Sequence, residues 1–282
     1  MKIRLINHGI SEKIMHDFSE VVNEFFQLPA NEKERFCSND PKQSCRLSTS
    51  IDYFQEKIYY WRDNLRHQCH PLEEHFQFKA IAIVFQIILL FHLFDLQSCR
   101  EVAGKYSVEV RKLSLLLLDL ICEGLGLESG YFNGNGLSQV QLMSINHYPP
   151  SSDPSLTLGL PKHSNVNLFT ILLQAGEVPG LQVLEDGKWL AVDPLPTAFV
   201  ISNGKLKSVD HRVVTNSKVA RTTVGTCIFP SSDSRIEPAK ALVDKCHPPL
   251  YKSFICKDFS DTYISEIING ITTERYKIHL SE

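Results

Sequence analysis

The chain has 282 residues, of which 43% are apolar and 22% charged, and its formal net charge is −3. That size allows one large domain or two ordinary ones, and the composition is that of a soluble globular protein. Lys and Arg are scattered with no basic run and no interleaved aromatics, so the charge pattern gives no reason to expect a nucleic-acid partner. The first ten residues, Met1 to Ile10, have no long apolar core and no small-residue cleavage site, which reads against a secretory signal. The eight cysteines, none in a C-x-x-C pair, are then expected as reduced thiols in the cytosol, without a structural zinc site.

In chain order, Ile14, Met15, Phe18, Val21, Val22, Phe25 and Phe26 fall at helical spacing behind Ser11, predicting an amphipathic helix over 11–28 that stops near Pro29. From Ala80 to Leu96 the chain is almost wholly apolar, interrupted by Gln86, His92 and Asp95. Composition leaves a buried helix and a membrane span open there, although the segment is short and polar for a span. Val102, Tyr106, Val110, Leu113, Leu116, Leu117, Leu120 and Ile121 predict a second helix over 101–125, with Gly124 and Gly126 as stop signals.

After Gly136 the pattern changes to short strands between turn residues. Strands are predicted at 139–148, 168–174, 181–185, 188–192, 197–202, 209–214 and 221–229, and Asp186-Gly187 is a strong hairpin signal. The fold class is α+β with a mainly β core, a helical first half and a sandwich or jelly roll in the second. The division is 1–138, 139–240 and a helical tail at 241–282.

A non-haem iron oxygenase holds its metal on one face with two imidazoles and a carboxylate, written H-x-D/E and a distant His. Here His163-Ser164-Asn165 and His211 lie beside predicted strands. Arg221 and Thr223 follow on one face of the last strand, where a guanidinium and a hydroxyl could bind a dicarboxylic acid, and Tyr148 offers a phenol. None of the eleven histidines has Asp or Glu two residues later, so a strict search for the iron-binding pattern fails.

Several motifs occur in one order: Ile6-Asn7-His8-Gly9-Ile10, Phe25-Phe26-Gln27-Leu28-Pro29, Asn146-His147-Tyr148-Pro149-Pro150 and Leu158-Gly159-Leu160-Pro161-Lys162-His163. Gly180-Leu181-Gln182-Val183-Leu184, Trp189 to Pro194, His211-Arg212-Val213-Val214 and Arg221 to Thr226 follow. This series resembles the plant iron(II)- and 2-oxoglutarate-dependent dioxygenases over nearly the whole chain outside about residues 76–99. Tyr60-Trp61-Arg62-Asp63 and Lys105 to Leu113 are similar to the hyoscyamine 6-hydroxylase-like branch.

The resemblance implies a double-stranded β-helix (jelly roll) with N-terminal and flanking helices. It implies Fe(II) on His163 and His211, with Asn165 in place of the usual Asp, and 2-oxoglutarate on Arg221, Thr223, Tyr148 and Asn146. The expected activity is oxidation of a small-molecule plant metabolite with release of succinate and CO2, by a cytoplasmic monomer, with ascorbate as an optional addition. The alternative is an impaired relative that keeps the fold and binds 2-oxoglutarate.

Four departures from the family pattern motivate that alternative. Asn165 is a neutral ligand. Ala198-Phe199-Val200 runs straight into Ile201-Ser202-Asn203-Gly204, where relatives carry about nine more residues, so a strand is expected to be missing and 198–206 distorted. Relatives begin some tens of residues upstream, implying an absent strand and helix. The apolar stretch at 80–96 replaces a short polar connection, as an intron translated in frame would.

Overall fold

The computed structural model describes residues 3–38, 40, 43, 45–49, 60–70, 96–165, 167–195, 197–203, 210–260 and 276–278. The apolar stretch at 80–95 lies outside them. Among the described residues, no helix is long and apolar enough to cross a membrane.

Helix α1 spans Glu12–Gln27, and its expected stripe is the buried one: Met15, Phe18, Val21, Val22, Phe25 and Phe26. A short helix α2 at Ala30–Lys33 and a 3-10 turn at Glu34–Phe36 follow. Helix α3, Leu96–Gly124, starts before the predicted 101. Its first half buries Tyr106, Val110 and Leu113 as expected. In its second half the stripe is rotated: the expected Leu117 and Ile121 pack on the core, but Leu116 and Leu120 are exposed while Leu118 and Cys122 are buried. With four leucines in succession from Leu115, hydrophobicity cannot choose a face; packing does. Helix α4, Tyr131–Gly134, is one turn.

Strands β1 (Ile3–Leu5), β2 (Cys45–Ser48) and β3 (Asp63–His70) come from the half expected to be helical. The second half supplies β4 (Val140–Tyr148), β5 (Leu158–His163), β6 (Phe169–Ala175), β7 (Leu181–Glu185), β8 (Lys188–Ala191), β9 (Phe199–Asn203), β10 (His211–Val214) and β11 (Arg221–Phe229). Small strands β12 (Arg235–Ile236) and β13 (Phe254–Ile255) pair with each other, so the tail is not helical throughout; residues 261–275 of it lie outside the described residues.

A seven-stranded sheet in the order β1-β9-β6-β11-β4-β3-β2 faces a four-stranded sheet in the order β5-β10-β7-β8, and every pair is antiparallel. Alternation along the strands separates two environments. Met143 and Ile145 of β4, Leu65 of β3 and Val224 of β11 point to the helices and join α1 and α3 in the main core, where Phe18 stacks on Tyr106 at 4.3 Å. The alternate residues face the smaller sheet, where Tyr148, Leu181, Val192 and Val213 form a second apolar cluster.

The β7–β8 hairpin turns through Asp186 and Gly187, both at positive φ (49° and 76°), as a two-residue turn of the favoured hand requires. The expected gap after Val200 does not break the large sheet. β9 pairs residue by residue with β6 from Phe199↔Leu173 to Asn203↔Phe169, and β1 pairs with its other edge. The junction at Val200–Ile201 therefore lies within a regular strand, and residues 204–209, which follow β9, lie outside the described residues.

Candidate functional site

His163 ends β5 and His211 begins β10, and the two are direct cross-strand partners. Their ring centroids lie 4.1 Å apart, tilted by 52°. The gap expected after Val200 has thus not separated them. Arg212 fixes the strand beside His211, bonding Gln182 Oε1 through Nε at 2.8 Å and stacking over Trp189 at 4.2 Å. Lys162 and Asp210 form an ion pair across the same two strands at 2.9 Å.

His163 Nδ1 lies 2.8 Å from the Pro161 carbonyl. A carbonyl can only accept, so Nδ1 carries the proton and Nε2 keeps a lone pair suited to a metal. Burial, then the neighbouring His211, with Arg62 adding to them, pull the His163 pKa down to about 3 against weaker opposition from Pro161 and Asp210. The ring is therefore neutral at neutral pH. Asn165 directs Nδ2 to Thr170 Oγ1 at 3.3 Å. Among the described residues no group of three His, Cys, Asp or Glu could hold a metal, because the third position here is an amide.

Arg221 and Tyr148 are cross-strand partners, as are Thr223 and Asn146. All four are buried and share the face turned to the small sheet. Arg221 donates from Nη2 to Gln174 Oε1 at 2.7 Å and from Nε to the Val178 carbonyl at 3.2 Å, and its guanidinium lies 5.4 Å from the Tyr148 ring centre. Burial pulls its pKa down while Tyr148 opposes the shift; an arginine stays charged nonetheless. Its Nη1 is buried with no hydrogen-bond partner among the described residues. A buried cation with a spare donor and, among the described residues, no carboxylate paired with it is the counterpart of a small acid.

Two glycines of the motifs keep this pocket open. A Cβ on Gly159 would meet Tyr148 Cδ1 at 2.5 Å, and one on Gly180 would meet Arg221 Cδ and the Val214 carbonyl at 3.0 Å. Asn146 Oδ1 is already taken, accepting from Arg62 Nη1 at 2.6 Å and Asn64 Nδ2 at 3.0 Å, so only its NH2 remains for a ligand. Gln174, Val178 and Arg62 were not anticipated. The only hint for Gln174 is a polar residue closing an apolar strand, and Arg62 stands in the Tyr60-Trp61-Arg62-Asp63 motif with no role attached.

The residues present fit both groups that this arrangement suggests. Two imidazoles and an amide oxygen are acceptable donors to Fe(II), and Arg221 with Thr223 and Tyr148 suits a carboxylate.

Comparison with known proteins agrees. The 2OG-Fe(II) oxygenase superfamily matches residues 139–230, and the N-terminal region described as non-haem dioxygenase in morphine synthesis matches 3–82. Hyoscyamine 6-dioxygenase of Hyoscyamus niger is 41% identical, over 93% of this chain and 78% of that protein. Flavanone 3-dioxygenase 2 of Oryza sativa subsp. japonica is 39% identical, over 91% of this chain and 74% of its own length. The crystal structure of JOX2 in complex with 2OG, Fe and JA superposes with a TM-score of 0.82 at 28% identity, covering 99% of this chain and 82% of that one. The chain belongs to the 2OG-Fe(II) oxygenase superfamily, among the plant dioxygenases, enzymes whose cofactors are Fe(II) and 2-oxoglutarate.

Proposed function

We propose that the chain oxidises a small plant specialised metabolite, with Fe(II) held by His163, His211 and the Asn165 amide oxygen and 2-oxoglutarate held by Arg221. When bound, Fe(II) and 2-oxoglutarate together supply the oxidising power to hydroxylate an unactivated C–H bond, the cosubstrate leaving as succinate and CO2. The chain's own part is to bind, orient and exclude water. Arg221 Nη1 donates to the far carboxylate of the cosubstrate, and the Thr223 hydroxyl and Tyr148 phenol add neutral hydrogen bonds. The Asn146 amide offers its NH2, held in place by Arg62 and Asn64 through its oxygen. Pro161 keeps the proton of His163 on Nδ1, so that the ring presents a lone pair without first losing a proton.

The observation that carries this reading is the buried Arg221 donor with no partner among the described residues, on the sheet face turned toward the paired His163 and His211. Purified protein should release succinate from 2-oxoglutarate only when Fe(II) is added. Succinate release unaffected by a chelator, or by replacing Arg221 with Met, would overturn it.

A further inference from the structure

The inner face of the large sheet carries a second set of cations, away from Arg221. Arg46 of β2 and Arg66 of β3 are cross-strand partners, and Arg66 stands opposite Ser144 of β4. Asn64 bonds Ser144 Oγ at 2.9 Å, which fixes the direction of this row: Asn64, Arg66 and Ser144 face the small sheet, while Leu65 faces the helices. Arg46 is only 5% exposed, and among the described residues neither guanidinium makes a hydrogen bond or an ion pair. Like charges directly opposite on a sheet repel, and burial without a counter-charge adds a desolvation cost. Burial, then Arg46 and then Arg62, lower the pKa of Arg66. Such a pair is unfavourable by itself and becomes favourable when an anion enters between the two forks.

The position also suits the reaction. Ser144 lies four residues before Tyr148, so this row is roughly 13 Å further along β4 than the Arg221 row at the usual strand rise. It sits instead near the metal-side residues. Arg66 is close enough to Cys227 to be perturbed by it, Cys227 accepts from Thr170 Oγ1 at 3.9 Å, and Thr170 accepts from Asn165.

We propose that Arg46 and Arg66 bind a carboxylate of the primary substrate, so that the chain oxidises a small organic acid rather than a neutral scaffold or an amine. As a substrate site this rests on the oxygenase reading above; as an anion site it stands on the two arginines alone. An ammonium group would be repelled here, and a neutral ligand would leave both charges unanswered.

Three acids of graded size, benzoate, cinnamate and octanoate, should be titrated anaerobically into the full chain saturated with 2-oxoglutarate, beside their uncharged amides. At least one acid binds and its amide does not. Arg46→Met and Arg66→Met weaken that acid by about tenfold or more, as expected for a charge-assisted bond, and leave 2-oxoglutarate binding unchanged. Arg66→Lys restores part of the loss. Without ligand, the Met variants melt no lower than the parent, because a repulsive pair has been removed; a clearly lower melting temperature would make the pair structural and end the proposal. Equal binding of acid and amide, an acid bound equally by the variants, or no acid bound at all would end it too. Arg221→Met distinguishes the two sites: it abolishes 2-oxoglutarate binding and leaves the acid bound. Loss of the acid in Arg221→Met alone would move it to the cosubstrate site and overturn the assignment. Inorganic phosphate binding as tightly as the acids would also overturn the choice of a carboxylate.

Discussion

Asn165 and Asp differ by little in volume but by a full charge, so Asn165→Asp fits the same space and adds an anionic oxygen beside His163. A carboxylate is the stronger donor to a divalent cation, so iron titration of the purified protein should show tighter binding in the variant. Unchanged affinity would mean that the residue at 165 does not reach the metal. The gap expected after Val200 does not limit this gain, since His211 remains paired with His163. Arg221 is the second decisive residue. Arg221→Ala leaves a desolvated carboxylate with no cation, and calorimetry should show a loss of about 2–5 kcal/mol in 2-oxoglutarate affinity, the scale for truncating one partner of a buried charge pair. Equal binding by parent and variant would remove Arg221 from the site.

At the level of elements, β5 touches β4 across the interior through Gly159 and Tyr148, with no room for even one methyl group. Gly159→Ala should push the Tyr148 ring aside and cost about 1–3 kcal/mol in stability, the usual scale for overpacking, together with 2-oxoglutarate affinity. A melting curve and a 2-oxoglutarate titration superimposable on the parent's would refute the contact. Helix α1 meets the opposite face of β4, where Phe26 stacks on His147 at 4.6 Å and Thr222 Oγ1 lies 3.0 Å from His147 Nδ1. Burial, aided by Lys33 and opposed by Asp63, lowers the pKa of His147. Below the ordinary histidine value of about 6.5 the unfolded chain then binds a proton that the folded one does not. This site therefore takes nothing from stability above that pH and destabilises increasingly as pH falls below it. Urea melts of His147→Gln between neutral and mildly acid pH should show a shallower decline than the parent; parallel declines would place the titration elsewhere. These elements also show what could be read beforehand. β11 was legible from end to end because Arg221 and Phe229 bracket a β-branched run, and the β7–β8 hairpin because Asp-Gly fixes its turn. β2 and β3 were not. Arg46, Asn64, Arg66 and Gln68 face the inside of the barrel, so the short alternation with Cys45, Leu47, Leu65 and Cys69 looks like that of a solvated edge and not of a strand buried on both faces. His163 and His211 could be found from motif and spacing, whereas Arg62 and Gln174 acquire meaning only from neighbours that are distant in sequence.

Across the whole molecule, the halves separated in the sequence reading share one sheet: β1, β2 and β3 flank strands drawn from the second half. The outermost pairing is also the longest in sequence, joining Ile3 to Ile201 and Leu5 to Phe199. His8 reinforces it, bonding the Thr197 carbonyl at 2.8 Å and lying against the ring of Phe199 at 4.7 Å. A prediction follows at this scale. Deleting residues 1–9 should uncover β9 as an open edge and increase self-association, measured by light scattering on warming, since unpaired strand edges recruit other chains. A truncated protein that stays monodisperse would show that β9 does not need its cover. The same pairing sets an order of events during synthesis. β1 leaves the ribosome before its partner β9, which is made about ten to forty seconds later at ordinary elongation rates of roughly 5–20 residues per second. Until then β1 has nothing to pair with, so the cover of this edge waits on a strand from the far half of the chain.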